Sequence, residues 1–94
     1  MSVYVDNAAI PYRRMVMCHM IADDHLELFS MACRIGVPPK WIQKRGTYQE
    51  HFDICLGMRR RAIARGAIEI TQKELAAKLR ERRAALGGGK GDVQ

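Results

Sequence analysis

The stretch from Arg14 to Gly36, RMVMCHMIADDHLELFSMACRIG, restricts the fold of this chain more than any other part of the sequence. From Met15 to Ile21 every residue except His19 is apolar, a pattern typical of a strand covered on both faces. The residues that follow repeat apolar side chains at the spacing of one helix face. A buried strand that passes within a few residues into an amphipathic helix predicts an α/β fold.

Both ends of this helix carry clear signals. Asp24, with Glu27 three residues later, matches a capping box at the helix start. Gly36, followed within three residues by two prolines, ends the helix. His19 therefore lies close to the end of the preceding strand, where open α/β sheets place their ligands.

The other predicted strands are short. They are Ser2 to Asp6, Trp41 to Gln43, His51 to Cys55 and Ala67 to Ile70. Pro11 and its neighbours predict a loop over Asn7 to Arg14, and an arginine-rich helix is predicted over Met58 to Arg65. These elements predict a small mixed sheet of four or five short strands packed with about three helices, in a single α/β domain over residues 1–86.

A last helix is predicted to begin at Thr71, which forms a second capping box with Glu74. Its only apolar feature is a narrow stripe of Leu75, Leu79 and Leu86. Because such a stripe is best covered by another protein surface, a homodimer is expected. Residues 87–94, which begin with three glycines, are predicted to form a disordered Gly-rich tail.

Composition limits the class of protein. A chain of 94 residues has room for one core, and its three cysteines are odd in number and lack a CxxC pattern, which predicts buried, reduced thiols. The sequence has no signal-peptide pattern and no apolar run long enough to cross a membrane. We therefore expect a cytoplasmic protein without membrane contact.

The net charge of the chain is +6. One hypothesis is that the basic residues bind nucleic acid, and the other is that they only form a solvated helix face.

Five phrases, VYVD, MCHMIAD, WIQ, HFD and RAIARGAIEI, occur in this order. Together they resemble a family of short uncharacterised bacterial, archaeal and phage proteins that is classed as a domain of unknown function. The resemblance covers about residues 3–75 and implies no reaction. The positions to which it points are Asp6, His19, Asp23, Trp41, Gln43, His51, Asp53 and Arg60.

His51 and Asp53 are two residues apart, so on a strand they face the same side. Asp6 and His19 lie near the ends of two other strands. If these ends converge, the four side chains suit a divalent transition metal or acid-base chemistry. The alternative is structural, with His51 and Asp53 bonded to each other or to backbone and His19 satisfied in the core.

Trp41 and Gln43 would share a face of an extended segment, where an indole and an amide could recognise a nucleobase. A core position for the tryptophan is the alternative. The arginines of the basic helix are spread around it, so only one is expected to point into a pocket and contact phosphate. The family resemblance implies that this one is Arg60, while Arg59, Arg61 and Arg65 stay solvated.

Three functions follow as hypotheses. The first is a small soluble binding protein for a polar or phosphate-bearing, nucleotide-like ligand. Its site would be His19, Trp41, Gln43, His51, Asp53 and Arg60, with Asp6 and Asp23 as additional residues. The second is a small metal-dependent hydrolase that uses Asp6, His19, His51 and Asp53, with a divalent metal as its cofactor. The third is a nucleic-acid or protein-binding adaptor that works through the basic helices.

Overall fold

The computed structural model describes residues 2–86, so the predicted tail at 87–94 lies outside the described residues. The described part is a mixed sheet of five short strands with three α-helices. The strands are β1 (Val3–Val5), β2 (Ile10–Tyr12), β3 (Met15–Ala22), β4 (Phe52–Cys55) and β5 (Ile68–Glu69). The helices are α1 (His25–Ile35), α2 (Leu56–Ala64) and α3 (Gln72–Ala85). The predicted small α/β fold is confirmed.

Strand β3 is the centre of the sheet. It pairs antiparallel with β1, β2 and β4, while β5 pairs parallel with β1. Two residues of β3 each pair with two strands. Met17 lies between Ile10 of β2 and Cys55 of β4, and Met20 lies between Val5 of β1 and Phe52 of β4. Since one residue meets two strands only across opposite edges, β4 lies along one edge of β3 and β1 and β2 follow each other along the other edge.

The two faces of the sheet are covered differently. Cys18, Met20 and Ala22 alternate along β3 and are buried, and the apolar sides of α1 and α2 join the same core. On the opposite face Ile21 is also buried. There α3 is anchored to the sheet, since Arg82 of α3 donates to the carbonyl oxygen of Ala22.

The first helix begins and ends where the sequence predicts. Asp24 caps α1 and accepts a hydrogen bond from the N–H of Glu27 at 2.8 Å, and Gly36 ends it in the left-handed conformation with φ 87°. The capping box is incomplete, because Glu27 does not return a bond and its Oε1 is buried without a partner among the described residues. Thr71 and Glu74, in contrast, form both bonds of their box.

Three local predictions are wrong. The predicted loop from Asn7 to Arg14 contains β2, since Pro11 is tolerated on a strand that pairs only with β3 among the described residues. Strand β3 is covered on both faces only from Cys18 onwards, because the β2–β3 hairpin projects into solvent. Cys33 is exposed on α1, although all three thiols are free.

The segment from Trp41 to Gln43 is also not a strand. Pro39–Trp41 forms a short 3-10 helix, in which the fixed φ of Pro39 suits the first position. Within this segment only Gln43 takes part in β-pairing, and its backbone forms an isolated bridge with His51, with N···O distances of 2.8 and 3.1 Å. Trp41 is therefore the last residue of a tight helical turn, and it is 56% exposed rather than buried in the core.

The leucine stripe of α3 is buried only at its beginning. Leu75 is 7% exposed, whereas Leu86 is 62% exposed. We expect Leu75→Ala to lower the free energy of unfolding by about 2 to 4 kcal/mol, because it removes buried methyl groups and leaves a cavity. Leu86→Ala is the matched control and should change it by less than about 0.5 kcal/mol. Equal effects of the two in urea titrations would contradict this packing of α3.

Among residues 2–86, the structure has no helix with the length and apolar character that a membrane crossing requires.

Candidate functional site

Three polar side chains meet on the face of the sheet opposite the main core. His19 comes from β3, and its partner across the antiparallel register is Asp53 of β4. His51 precedes β4 and lies two residues before Asp53, so strand alternation turns both to the same face, while Phe52 between them is fully buried in the core. The expectation that these side chains converge agrees with this geometry.

The reactive atoms of the three side chains surround one point. Asp53 Oδ1 lies 3.3 Å from His51 Nε2 and 3.8 Å from His19 Nε2. One ligand atom from each residue lies within 4.8 Å of the other two, and the two imidazole rings meet edge to face with centroids 5.4 Å apart. This group is called the His-Asp cluster below.

Hydrogen bonds behind the rings determine which nitrogen is free. His51 Nδ1 lies 2.7 Å from the carbonyl oxygen of Gln49. Since a carbonyl only accepts, Nδ1 carries the proton and Nε2 carries the lone pair in the neutral ring. His19 Nδ1 lies 2.8 Å from Asp6 Oδ2, which has the same effect when the carboxyl group is ionised. Both Nε2 atoms are thus directed, as acceptors, towards Asp53.

Asp6 fills the break between the two short strands along one edge of β3. Its side chain is fully buried, and its Oδ1 accepts hydrogen bonds from the N–H groups of His19 at 2.7 Å and Ala8 at 3.3 Å. Oδ2 binds the His19 ring. Both oxygens of the carboxylate are therefore engaged, by two backbone N–H groups and by His19 Nδ1. Asp6 orients the His19 ring and does not face Asp53.

The two partners shift each other's protonation. Burial raises the pKa of Asp6, but the hydrogen bonds from the His19 ring and from the backbone N–H groups of His19 and Ala8 outweigh burial, and the net pKa is lowered. The hydrogen bond to Asp6 raises the pKa of His19 against the opposing effect of burial, with further help from the charges of Asp6 and Asp53. The Asp6 carboxyl group is therefore more easily ionised than a free one, and the His19 ring gains a proton more easily than a free imidazole. The Nε2 lone pair of His19 belongs to its neutral form.

This pairing predicts a bounded pH window for stability. A lowered Asp6 pKa stabilises the fold above pH 3.8, and the contribution is lost as pH falls through the folded-state pKa. A raised His19 pKa stabilises it below pH 6.5, and the contribution is lost as pH rises through the folded-state pKa. In urea titrations with a chelator present, the stability advantage over Asp6→Asn should be largest between these two values. A pH-independent advantage would contradict the pairing.

An open cleft of about 570 Å³ adjoins the His-Asp cluster. It is called the aromatic cleft below, and its lining residues are Ile10, Pro11, Tyr12, Met15, Met17, His19, Trp41, Gln43 and Asp53. Strand β2 and the start of β3 form one part of the lining, the 3-10 helix supplies Trp41, and the segment after it supplies Gln43. Four of the predicted site residues therefore line one cavity.

A second, smaller cavity of about 250 Å³ lies between the cluster and α3. His19 lines both cavities, and His51 lines the smaller one together with Lys44, Gln49 and the side of α3 that carries Leu75. The cluster is consequently reachable from two directions.

Two residues of the predicted set lie elsewhere. Asp23 binds the N–H of Ser2 at 2.8 Å. Arg60 is exposed on α2, lies beside Gly57, and lines neither cavity. The expectation that the other arginines stay solvated is wrong for Arg59, whose side chain is 16% exposed and donates to the carbonyl oxygen of Asp6 at 2.8 Å. Arg61 is exposed, although it also donates to the carbonyl oxygen of Ile35 at 3.2 Å. Both hydrogen bonds help to hold α2 in place.

Sequence reasoning missed the hairpin side of the cleft. Ile10 and Tyr12 alternate around Pro11 and precede a two-arginine turn in which Arg13 has φ 57°. This alternation is the sequence signal for a strand, but Pro11 led to the prediction of a loop. The carbonyl of Gln49, which orients His51, belongs to the backbone and has no signature in the sequence.

Comparison with known proteins identifies the family. Residues 3–82 match the family described as "Protein of unknown function (DUF4031)". The chain belongs to this family. The match includes most of α3, which the phrases noted in the sequence left largely outside. Neither the curated proteins nor the solved structures contain a significant match to the chain.

Proposed function

We propose that this protein binds a divalent transition metal ion through His19, His51 and Asp53 and uses it to hydrolyse a polar ligand held in the aromatic cleft. The observation that carries the proposal is the convergence of two oriented imidazole nitrogens and one carboxylate oxygen on one point. Imidazole and carboxylate groups are common ligands of Zn²⁺ and related ions.

The spacing of the cluster supports a metal more than a closed hydrogen-bond network. Two ligands that each lie about 2.1 Å from a tetrahedral ion are separated by roughly 3 to 4 Å, and the Asp53 Oδ1 distances of 3.3 and 3.8 Å fall in this range. A self-satisfied trio would instead close to about 2.9 Å. The rings are also fixed from behind by a carboxylate and a carbonyl, as is typical of metal-binding histidines.

Three protein ligands leave a coordination position for water, which is the arrangement of catalytic rather than structural zinc sites. A bound divalent ion lowers the pKa of such a water and polarises a carbonyl or phosphoryl oxygen. The cluster borders a cleft that a ligand can enter, and Asp53 is 43% exposed there. Hydrolysis is therefore the reaction class that this site favours.

A binding protein without catalysis is the second candidate, and the exposed Trp41 in the cleft favours it. The adaptor hypothesis has less support. Several cations of the basic helices are engaged within the fold, including Arg59, Arg61 and Arg82 with backbone carbonyls and Lys78 with the Tyr4 ring.

The test is metal-dependent turnover of simple activated esters, for example the p-nitrophenyl esters of acetate and phosphate. Protein loaded with Zn²⁺, Mn²⁺ or Co²⁺ should hydrolyse at least one of them, and both a chelator and Asp53→Ala should remove the activity. His25→Gln is the control, because His25 binds Glu50 at 2.6 Å outside the cluster. Activity that survives in Asp53→Ala would contradict the proposal, as would metal binding without turnover of any ester.

A further inference from the structure

The aromatic cleft concentrates large apolar side chains that are open to water. Ile10, Tyr12, Met15 and Trp41 all line it, with exposed fractions of 45, 52, 44 and 56%. A contiguous exposed apolar surface in a small protein is typical of a binding site. A cavity of about 570 Å³ also has the size of a small-molecule site.

Trp41 combines a fixed backbone with an open ring. The backbone N–H of Trp41 donates to the carbonyl oxygen of Pro38 at 3.0 Å. Trp41 is also the last residue of the 3-10 helix that begins at Pro39. The side chain is nevertheless more than half exposed. Because little ordering is needed when a ligand arrives, this indole suits stacking with a flat aromatic group.

Gln43 lies beside this stacking surface and is also held in place. Its backbone N–H and carbonyl both bond to His51, while its exposed side chain lines the cleft. A carboxamide offers a donor and an acceptor side by side, and the edges of nucleobases present complementary pairs of groups. The bridge to His51 also ties Gln43 to the His-Asp cluster.

Basic residues lie near the cleft. The Arg13 guanidinium lies 5.4 Å from the centre of the Tyr12 ring, which lines the cleft, and Lys44 lines the smaller cavity that shares His19 with it. Asp53 is the only carboxylate among the described residues that line the cleft. A flat aromatic ligand with a negative group fits this combination of surfaces.

We infer that the aromatic cleft binds a nucleotide, with its base stacked on Trp41, the edge of the base bonded to Gln43, and its phosphate directed to the His-Asp cluster. The position of the phosphate rests on the proposed metal site, whereas the stacking of the base does not. A free nucleotide and the end of a single strand share this chemistry.

Trp41 is the single tryptophan of the chain, so its fluorescence reports on the cleft directly. AMP should quench it saturably, and ribose 5-phosphate, which lacks a base, should not. Adenosine should quench zinc-loaded and chelator-treated protein alike, while AMP should bind more tightly than adenosine only when zinc is present.

Variants and a longer ligand sharpen the test. Trp41→Ala, followed with a fluorescent AMP analogue, should weaken binding by about 5- to 150-fold, the range for loss of one stacked base. Gln43→Ala should also weaken binding, and Ser30→Ala, at an exposed position of α1 that lines neither cavity, should not. An oligoadenylate of roughly eight nucleotides that binds more tightly than AMP and weakens with salt identifies a strand as the ligand; equal affinity identifies the free nucleotide.

The two proposals fail separately. Zinc binding without quenching by any nucleotide overturns the nucleotide inference and leaves the metal site intact. Quenching by adenosine in a protein that binds no zinc supports the stacking of the base and overturns the metal site together with the phosphate position. Self-association on concentration, seen by sedimentation, with no nucleotide effect would show a second copy covering the cleft and would overturn the inference.

Discussion

His51→Ala is expected to lower the affinity for Zn²⁺ by more than about 100-fold, because it removes a direct ligand, and loss of an outer-shell partner alone costs about 10- to 100-fold. Wild-type protein should bind one ion per chain in calorimetric titrations. His19→Ala and Asp53→Ala should give losses of the same order, because each residue contributes one atom to the cluster.

The chain offers a matched control for this series. It has three histidines, and His25 lies outside the cluster with Glu50, so His25→Gln should keep wild-type affinity. Asp23→Ala is the control for Asp53→Ala, because the Asp23 carboxylate binds the N–H of Ser2, and it should also keep wild-type zinc affinity. A loss of zinc affinity in the two control variants equal to that in the cluster variants would indicate binding elsewhere.

Asp6→Ala is expected to lower the free energy of unfolding by about 3 to 5 kcal/mol, the range for removing one partner of a buried charged pair. The carboxylate satisfies two backbone N–H groups and the His19 ring at the break between β1 and β2. Without it the two backbone N–H groups lose their acceptor at a fully buried position. Urea unfolding followed by circular dichroism measures the effect.

Asp6→Asn separates the shape of this side chain from its charge. The amide keeps an oxygen that accepts from the backbone, so its cost should be smaller, about 1 to 2 kcal/mol. Asp23→Ala, at an exposed position, should cost less than about 1 kcal/mol. If Asp6→Ala were no more destabilising than Asp23→Ala, the account of the strand break would be wrong.

Much of the fold could be predicted because the decisive signals are local. The apolar run of β3, the Asp24 cap and Gly36 specify a strand and a helix within one stretch of chain. The hairpin strand β2 was missed because Pro11 is a strong loop signal, and only the tertiary position on an edge makes it acceptable. The turn at Trp41 was read as a strand because three residues carry too little periodicity to decide.

The candidate site was predictable in part for the same reason. The i, i+2 spacing of His51 and Asp53 puts them on one face of a strand whatever the fold, but their meeting with His19 depends on the β3–β4 register, which is not local. The role of Asp6 as a partner of His19 depends on the break between β1 and β2, and no local sequence pattern predicts such a break. Arg60 was chosen by resemblance, and the orientation of α2 directs it away from both cavities.

Anomalous diffraction from crystals grown with Zn²⁺ is the most direct test of the metal centre. We expect one strong peak, about 2.0 to 2.2 Å from His19 Nε2, His51 Nε2 and an Asp53 oxygen. His19 Nδ1 should still be bonded to Asp6, and His51 Nδ1 to the Gln49 carbonyl. A peak at His25 and Glu50, or none at the cluster with zinc in excess, would contradict the proposed metal site.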